Sequence, residues 1–212
     1  MPREINSVGV VGGGLMGAGI AEVSAVAGMP VVVRDLPQFL DAAQGRVEKS
    51  LAGAVKRGKI DQAKRDEVIA RITFTPDLKD VADADIVIEA VPEILDLKVS
   101  LIKELDELVS PGNVIATNTS SIPIAELAGK VQHPGRVVGV HFFSPVPVMK
   151  LVEIVVALDT DPEMADLLVG NSRDTMRWLR ANGVKFFPLY GWQFRSPDGF
   201  IRFWKVRRVE TR

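Results

Sequence analysis

Two histidines, His133 and His141, are the only imidazoles in the 212 residues, and the chain has no cysteine. Thiol nucleophiles, disulfides and Cys-ligated zinc are excluded, and any imidazole chemistry falls to one of these two side chains. His133 precedes Pro134-Gly135 and reads as a surface turn residue. His141 sits within the apolar run Val137–Phe143, where it fits two roles: a hydrogen-bonded core residue or a catalyst. Glu153 lies in another apolar run, Leu151–Ala157, and a buried carboxylate needs a partner. A carboxylate orienting an imidazole is a general-base arrangement, so Glu153 and His141 form a candidate pair. Asn118-Thr119-Ser120-Ser121 follows an expected strand. Strand carboxyl ends are where open α/β sheets hold ligands, yet Ser and Thr also suit a helix cap for Ile124–Gly129. Spacing alone favours neither.

A further constellation stands near the N-terminus. Gly12-Gly13-Gly14-Leu15-Met16-Gly17 fits G-x-G-x-x-G through Gly12, Gly14 and Gly17, and Asp35 follows 18 residues after Gly17. The loop lies between an expected strand, Ser7–Val11, and a small-residue helix, Gly17–Ala27. In that setting Gly12 permits the tight turn, Gly14 lets a diphosphate approach the backbone, and Gly17 lets the helix pack on the strand. Helix N–H groups then face the phosphates. Asp35, ending the next strand at Val31–Val33, suits both ribose hydroxyls and repels a 2′-phosphate, which favours NAD over NADP. Arg34 beside it slightly weakens that preference.

The elements that must position these groups alternate. Gln38–Arg57 reads as a long helix, with Leu40, Ala43, Val47, Leu51 and Ala54 at three-to-four spacing. Asp61 suits the N-cap of a helix running to Ile72. Asp85–Ala90, Asn113–Thr117 and Arg136–Phe143 read as strands, with Lys98–Leu108 a helix between the first two. Such alternation implies an α/β fold, a Rossmann-type doubly wound sheet, mostly parallel and covered on both faces.

Composition narrows the class. Hydrophobic residues make up 47%, enough to exclude global disorder. A net charge of −1 argues against a dedicated nucleic-acid binder. The charge-free stretch Ile5–Ala21 contains six glycines and is too short for a span, so a soluble, cytoplasmic protein is expected, with no membrane partner. Residues 1–160 carry a charge of −5 and residues 161–212 carry +4, and nine of the 13 aromatics fall in the latter. That shift divides the chain into a dinucleotide-binding domain, 1–160, and an atypical tail, 161–212. The tail is expected to hold a helix over Pro162–Asn182, ending at Gly183, followed by irregular chain.

Gly12–Ala21, Asn118–Ser121 and the stretch His141–Glu153 (His-Phe-Phe-Ser-Pro-Val-Pro-Val-Met-Lys-Leu-Val-Glu) resemble the NAD-binding domain of 3-hydroxyacyl-CoA dehydrogenases. The 3-hydroxybutyryl-CoA dehydrogenases belong to that group, and the resemblance covers about residues 4–158 in consistent order. It implies NAD-dependent oxidation of a (3S)-3-hydroxyacyl-CoA to a 3-ketoacyl-CoA, in fatty-acid or butanoate metabolism. His141 would be the general base, Glu153 its orienting carboxylate, and Ser120 a hydrogen-bond partner of the substrate oxygen. Gly12, Gly14, Leu15, Met16, Gly17, Asp35, Glu93, Lys98, Ser120 and Ser144 would line the NAD site, Ser144 standing where many members have Asn. Ser50 and Arg57 match positions that touch CoA, and no metal is implied.

Members of the family continue into an all-helical domain that forms a homodimer and supplies a catalytic Asn near Gly-Phe-Ile-x-Asn-Arg. Gly199-Phe200-Ile201 echoes that motif, but Phe203 stands at the Asn position. Ser172–Val184 through Phe203-Trp204 instead faintly resembles tricarballylate dehydrogenase-like flavoproteins. No second glycine loop accompanies it, so no flavin is assigned. The alternative expectation is an NAD-binding module, truncated or fused, with little or no turnover.

Overall fold

Among the residues described by the computed structural model (5–157, 159–162 and 164, with the backbone of 193–195 and 201–203), seven short strands share one sheet. They are β1 (Val8–Val11), β2 (Val31–Arg34), β3 (Ile72–Thr75), β4 (Ile86–Glu89), β5 (Val114–Thr117), β6 (Val137–Phe142) and β7 (Val152–Val155). Their spatial order is β3-β2-β1-β4-β5-β6-β7. All neighbours run parallel except β7, which returns antiparallel to β6. The order reverses direction between β1 and β4, and this switch point opens a crevice beyond the strands' carboxyl ends.

The strands are apolar along their length because both faces are covered. β1, β4 and β5 are buried at every position. On one face, α1 (Leu15–Val26), α2 (Leu40–Lys56) and α3 (Gln62–Ala70) bring Ile20, Val47, Leu51 and Val68 against Val10 and Val33. On the other, α4 (Leu95–Leu108) and α5 (Ile124–Ala128) pack Ile102, Leu105 and Leu127 against Val11, Val87 and Ile115. No helix among the described residues is long and apolar enough to cross a membrane.

Two expectations needed correction. The helix capped by Asp61 exists, its side chain accepting from the Lys64 N–H at 2.7 Å, but it ends at Ala70. Ile72–Thr75 is instead the edge strand β3, paired parallel to β2. Its alternating Ile72-Thr73-Phe74-Thr75 suits a pleated surface and turns Phe74 toward the core. The long helix expected from Gln38 begins with a 3₁₀ turn, Pro37–Phe39, before α2. Proline at its start fixes φ without losing a needed donor.

The chain divides into two compact units, Met1–Thr175 and Met176–Arg212. In the second, β8 (Gln193–Arg195) and β9 (Ile201–Phe203) form an antiparallel ribbon, within a segment read from sequence as helix plus irregular chain. Apart from residues 162 and 164, the helix expected over 162–182 lies outside the described residues.

Candidate active site

The β6–β7 ladder pairs His141 directly with Glu153, so both side chains leave the same face of the sheet. His141 Nδ1 lies 2.8 Å from Glu153 Oε2, and its Nε2 lies 3.0 Å from Ser120 Oγ. A carboxylate only accepts, so Nδ1 carries the proton and Nε2 presents a lone pair to the serine hydroxyl. Phe143 packs edge-on against the imidazole, with ring centroids 4.7 Å apart. His141 and Glu153 are partly buried, while Ser120 is exposed. An imidazole with a carboxylate on one nitrogen and a hydroxyl on the other is an arrangement that a general base can use.

Ser120 reaches this position because its loop is clamped. Glu93 Oε1 accepts from the N–H of Ser120 at 3.1 Å, the N–H of Ser121 at 3.2 Å, the Ser121 hydroxyl at 3.0 Å and the Thr119 hydroxyl. Partial burial works against the Glu93 charge, but the Thr119 and Ser121 hydrogen bonds and the Lys98 ammonium outweigh it and lower the carboxyl to about 2. The helix-cap reading of this loop is not realised, since α5 starts after Pro123 with no side-chain cap. Asn118 Oδ1 accepts from the Phe142 N–H at 2.8 Å and ties the loop to β6.

Below the loop lies a buried ion pair. Lys98 Nζ donates to Glu89 Oε1 at 2.5 Å and contacts Glu93 Oε2 at 3.3 Å. Glu89 and Thr117 were not among the sequence candidates, and Asn118 and Thr119 were singled out only as part of the Asn118–Ser121 motif. The available signal for Glu89 was a lone charge ending the apolar run Ile86–Ile88.

The glycine loop forms the crevice's other wall. Gly12 has φ +101°, and a Cβ there would stand 2.9 Å from the Ala90 carbonyl group. A Cβ on Gly17 would drive into the Gly12 carbonyl oxygen, so the helix and the turn touch backbone to backbone. Gly14 faces open space, and α1 begins there with no side-chain cap and no acid in its first turn. That leaves its N–H groups available to an anion. Asp35 Oδ2 accepts from the Gly13 N–H and Oδ1 from the Leu36 N–H, each at 2.7 Å. Two carboxylate oxygens offer about four acceptor sites, so ribose hydroxyls can still be received. The open N-terminus, the absent Cβ groups and this carboxylate together fit a dinucleotide.

Between these walls, a cleft of about 250 Å³ is lined by Met16, Ala90, Val91, Glu93, Lys98, Asn118, Ser120 and Ser121. A larger open groove of about 620 Å³, around Arg34, Lys79, Glu104 and Glu107, contains none of the candidate catalytic groups. The smaller cleft is therefore the relevant one. Leu15 and Ser144 are exposed. Ser50 and Arg57 have an internal neighbour in Glu22 of α1: burial raises the Glu22 carboxyl, against a Ser50 hydrogen bond and the Arg57 charge. His133 is exposed as expected, with Nδ1 at 3.3 Å from Asp106. No cluster of metal-ligating side chains occurs among the described residues.

Comparison with known proteins agrees with this architecture. Residues 7–177 match the family described as 3-hydroxyacyl-CoA dehydrogenase, NAD binding domain. A 3-hydroxybutyryl-CoA dehydrogenase of Mycobacterium tuberculosis is 48% identical over 167 residues, covering 78% of this chain and 58% of that protein. A probable 3-hydroxybutyryl-CoA dehydrogenase of Deinococcus radiodurans is 45% identical over 161 residues, 76% of this chain and 58% of its own length. Thus the chain spans less than two thirds of these relatives. Among solved structures, M. tuberculosis FadB2 matches with a TM-score of 0.80 and 45% identity, over 82% of this chain and 62% of that one. The (S)-3-hydroxybutyryl-CoA dehydrogenase of Ralstonia eutropha matches with a TM-score of 0.77 and 39% identity, over 80% and 60%.

Proposed function

The chain belongs to the 3-hydroxyacyl-CoA dehydrogenase family, and on that premise we propose that it binds NAD and oxidises the 3-hydroxyl of an acyl-CoA thioester to a 3-ketone. The observation carrying this reading is the position of His141, between Glu153 at 2.8 Å and Ser120 at 3.0 Å at the rim of the crevice. His141 Nε2 takes the hydroxyl proton as the C3–O bond becomes a carbonyl. Glu153 holds the Nδ1 proton and stabilises the imidazolium that forms. Ser120 Oγ hydrogen-bonds the substrate oxygen and keeps it within reach of the base. NAD, when bound, would supply the acceptor for the hydride from C3.

The remaining residues bind and orient. The N–H groups of the glycine turn receive the diphosphate, Asp35 receives the adenosine ribose hydroxyls, and Glu93, Lys98 and Ser144 border the nicotinamide end. Ser50 and Arg57 are assigned to CoA, whose phosphates suit a guanidinium. Residues 1–160 form the NAD-binding domain, and 161–212 are a distinct tail. The protein acts in the cytoplasm on a free acyl-CoA, without nucleic-acid or membrane partners; the homodimer usual in the family relies on the all-helical domain, which the sequence of residues 161–212 does not match.

A second reading, cofactor binding without appreciable turnover, draws support from the exposure of Ser120, because a wet reaction centre weakens electrostatic stabilisation. Calorimetry with NADH and acetoacetyl-CoA-dependent NADH oxidation separate the two. Binding with oxidation supports the dehydrogenase, binding alone supports the module, and neither event defeats both.

A further inference from the structure

Glu89 places a charge at the end of β4 that the proposed chemistry does not use. Its carboxylate is fully buried, and the sheet register sets it between Val11 of β1 and Thr117 of β5, at the crevice floor. Oε1 accepts from Lys98 Nζ at 2.5 Å and from the Val91 N–H at 2.9 Å, while Oε2 accepts from the Thr117 hydroxyl at 2.6 Å. Lys98 is equally buried, and its other contacts are Glu93 Oε2 and the Val91 carbonyl, both at 3.3 Å. One buried ammonium thus stands between two carboxylates, with Glu89 the nearer.

Glu93 has a different task. Its Oε1 holds the Ser120 and Ser121 N–H groups, and so the loop that sets Ser120 against His141. A desolvated ammonium pulls strongly on any carboxylate within reach, because its charge is poorly screened in the interior. Without an anion of its own, Lys98 would draw Glu93 inward and off the loop.

We propose that Glu89 is a positioning residue: by neutralising Lys98 from below, it leaves Glu93 free to hold Ser120 and Ser121, and with them the Ser120–His141 contact. The functional consequence rests on the crevice being the catalytic site, whereas the positional claim concerns two backbone N–H groups.

Amide hydrogen exchange, followed by NMR on the full chain without cofactor, tests it. Glu89→Gln keeps the shape and removes the charge. Exchange at Ser120 and Ser121 is expected to quicken by about tenfold or more, the scale of losing a hydrogen bond to a charged group, while core amides such as Val33 stay protected. In the double variant E89Q/K98M, Glu93 has no buried cation to follow, and protection at both amides returns. A merely structural role would leave the double variant as loose as the single one.

Wild-type protection in folded E89Q overturns the proposal, and so does fast exchange in the double variant. If E89Q alone does not fold, the double variant carries the test. Its failure to fold also overturns the proposal, which gives Glu89 no essential partner besides Lys98. An NADH titration of the unmodified chain tests the crevice separately: absence of binding defeats the cofactor reading and leaves the exchange pattern to judge Glu89.

Discussion

Asp35 and Gly13, 22 residues apart, are joined by a 2.7 Å hydrogen bond from the glycine N–H to Oδ2. The carboxylate proposed to receive a ribose therefore also pins the glycine turn to the end of β2. Asp35→Ala removes both functions. It should weaken NADH binding by about tenfold or more, as expected for lost charge-assisted bonds, and narrow the preference for NADH over NADPH. Parallel titrations with the two cofactors check this, and an unchanged preference removes the ribose role.

His141→Ala is expected to lower acetoacetyl-CoA-dependent NADH oxidation by roughly 10²- to 10⁴-fold, the usual worth of a positioned general base, with NADH affinity nearly unchanged. Steady-state rates alongside calorimetry separate the two effects. Full activity in this variant would falsify the base assignment.

Acid should loosen the crevice through Glu93. Its carboxyl is held at about 2 against an ordinary 4.5, so its contribution to stability is complete above the higher value and drains away as pH falls toward the lower. Asp106, lowered mainly by Arg136 and the Gln132 and His133 N–H groups against its own desolvation, acts in the same direction. Urea midpoints measured on either side of pH 4.5 should fall with acid, and Glu93→Gln should make that fall shallower. An equally steep decline in the variant excludes Glu93 as a source.

Gly17→Ala should damage the cofactor wall without touching any catalytic group. The new methyl meets the Gly12 carbonyl oxygen, which cannot yield without moving the turn away from Ala90. A destabilisation of about 1–3 kcal/mol is expected, in the range for overpacking, together with weaker NADH binding. Denaturant unfolding and titration read the two effects, and a variant matching wild type in both shows that the turn has slack.

The glycine turn, Asp35 and the His141–Glu153 pair were legible in the sequence because each depends on a short-range pattern or an uncommon residue in an apolar run. Other features had no such signal. β3 was hidden because Ile69 and Ile72 stand three apart, which continues a helical stripe through the residue where α3 stops. Thr119, Ser120 and Ser121 looked equally suited to a cap, since their actual acceptor, Glu93, lies 26 to 28 residues away. Glu89 is a charge at a strand end whose burial depends on the strand order that encloses it on both sides. Ser50 and Arg57 were matched to an outside ligand, and their internal neighbour Glu22 is visible only once α1 and α2 are packed together.

The His141–Glu153 pairing is a matter of parity. Successive residues of a strand alternate sides, so sliding β7 by one position along β6 would send the carboxylate to the opposite surface and strand the imidazole. The connecting segment 143–151 is under no such rule, although Phe143 packs on the imidazole and Val146 is buried in the core. Its exposed positions, 144, 145 and 147–151, can vary and reshape the mouth of the crevice, provided both strands re-enter in phase.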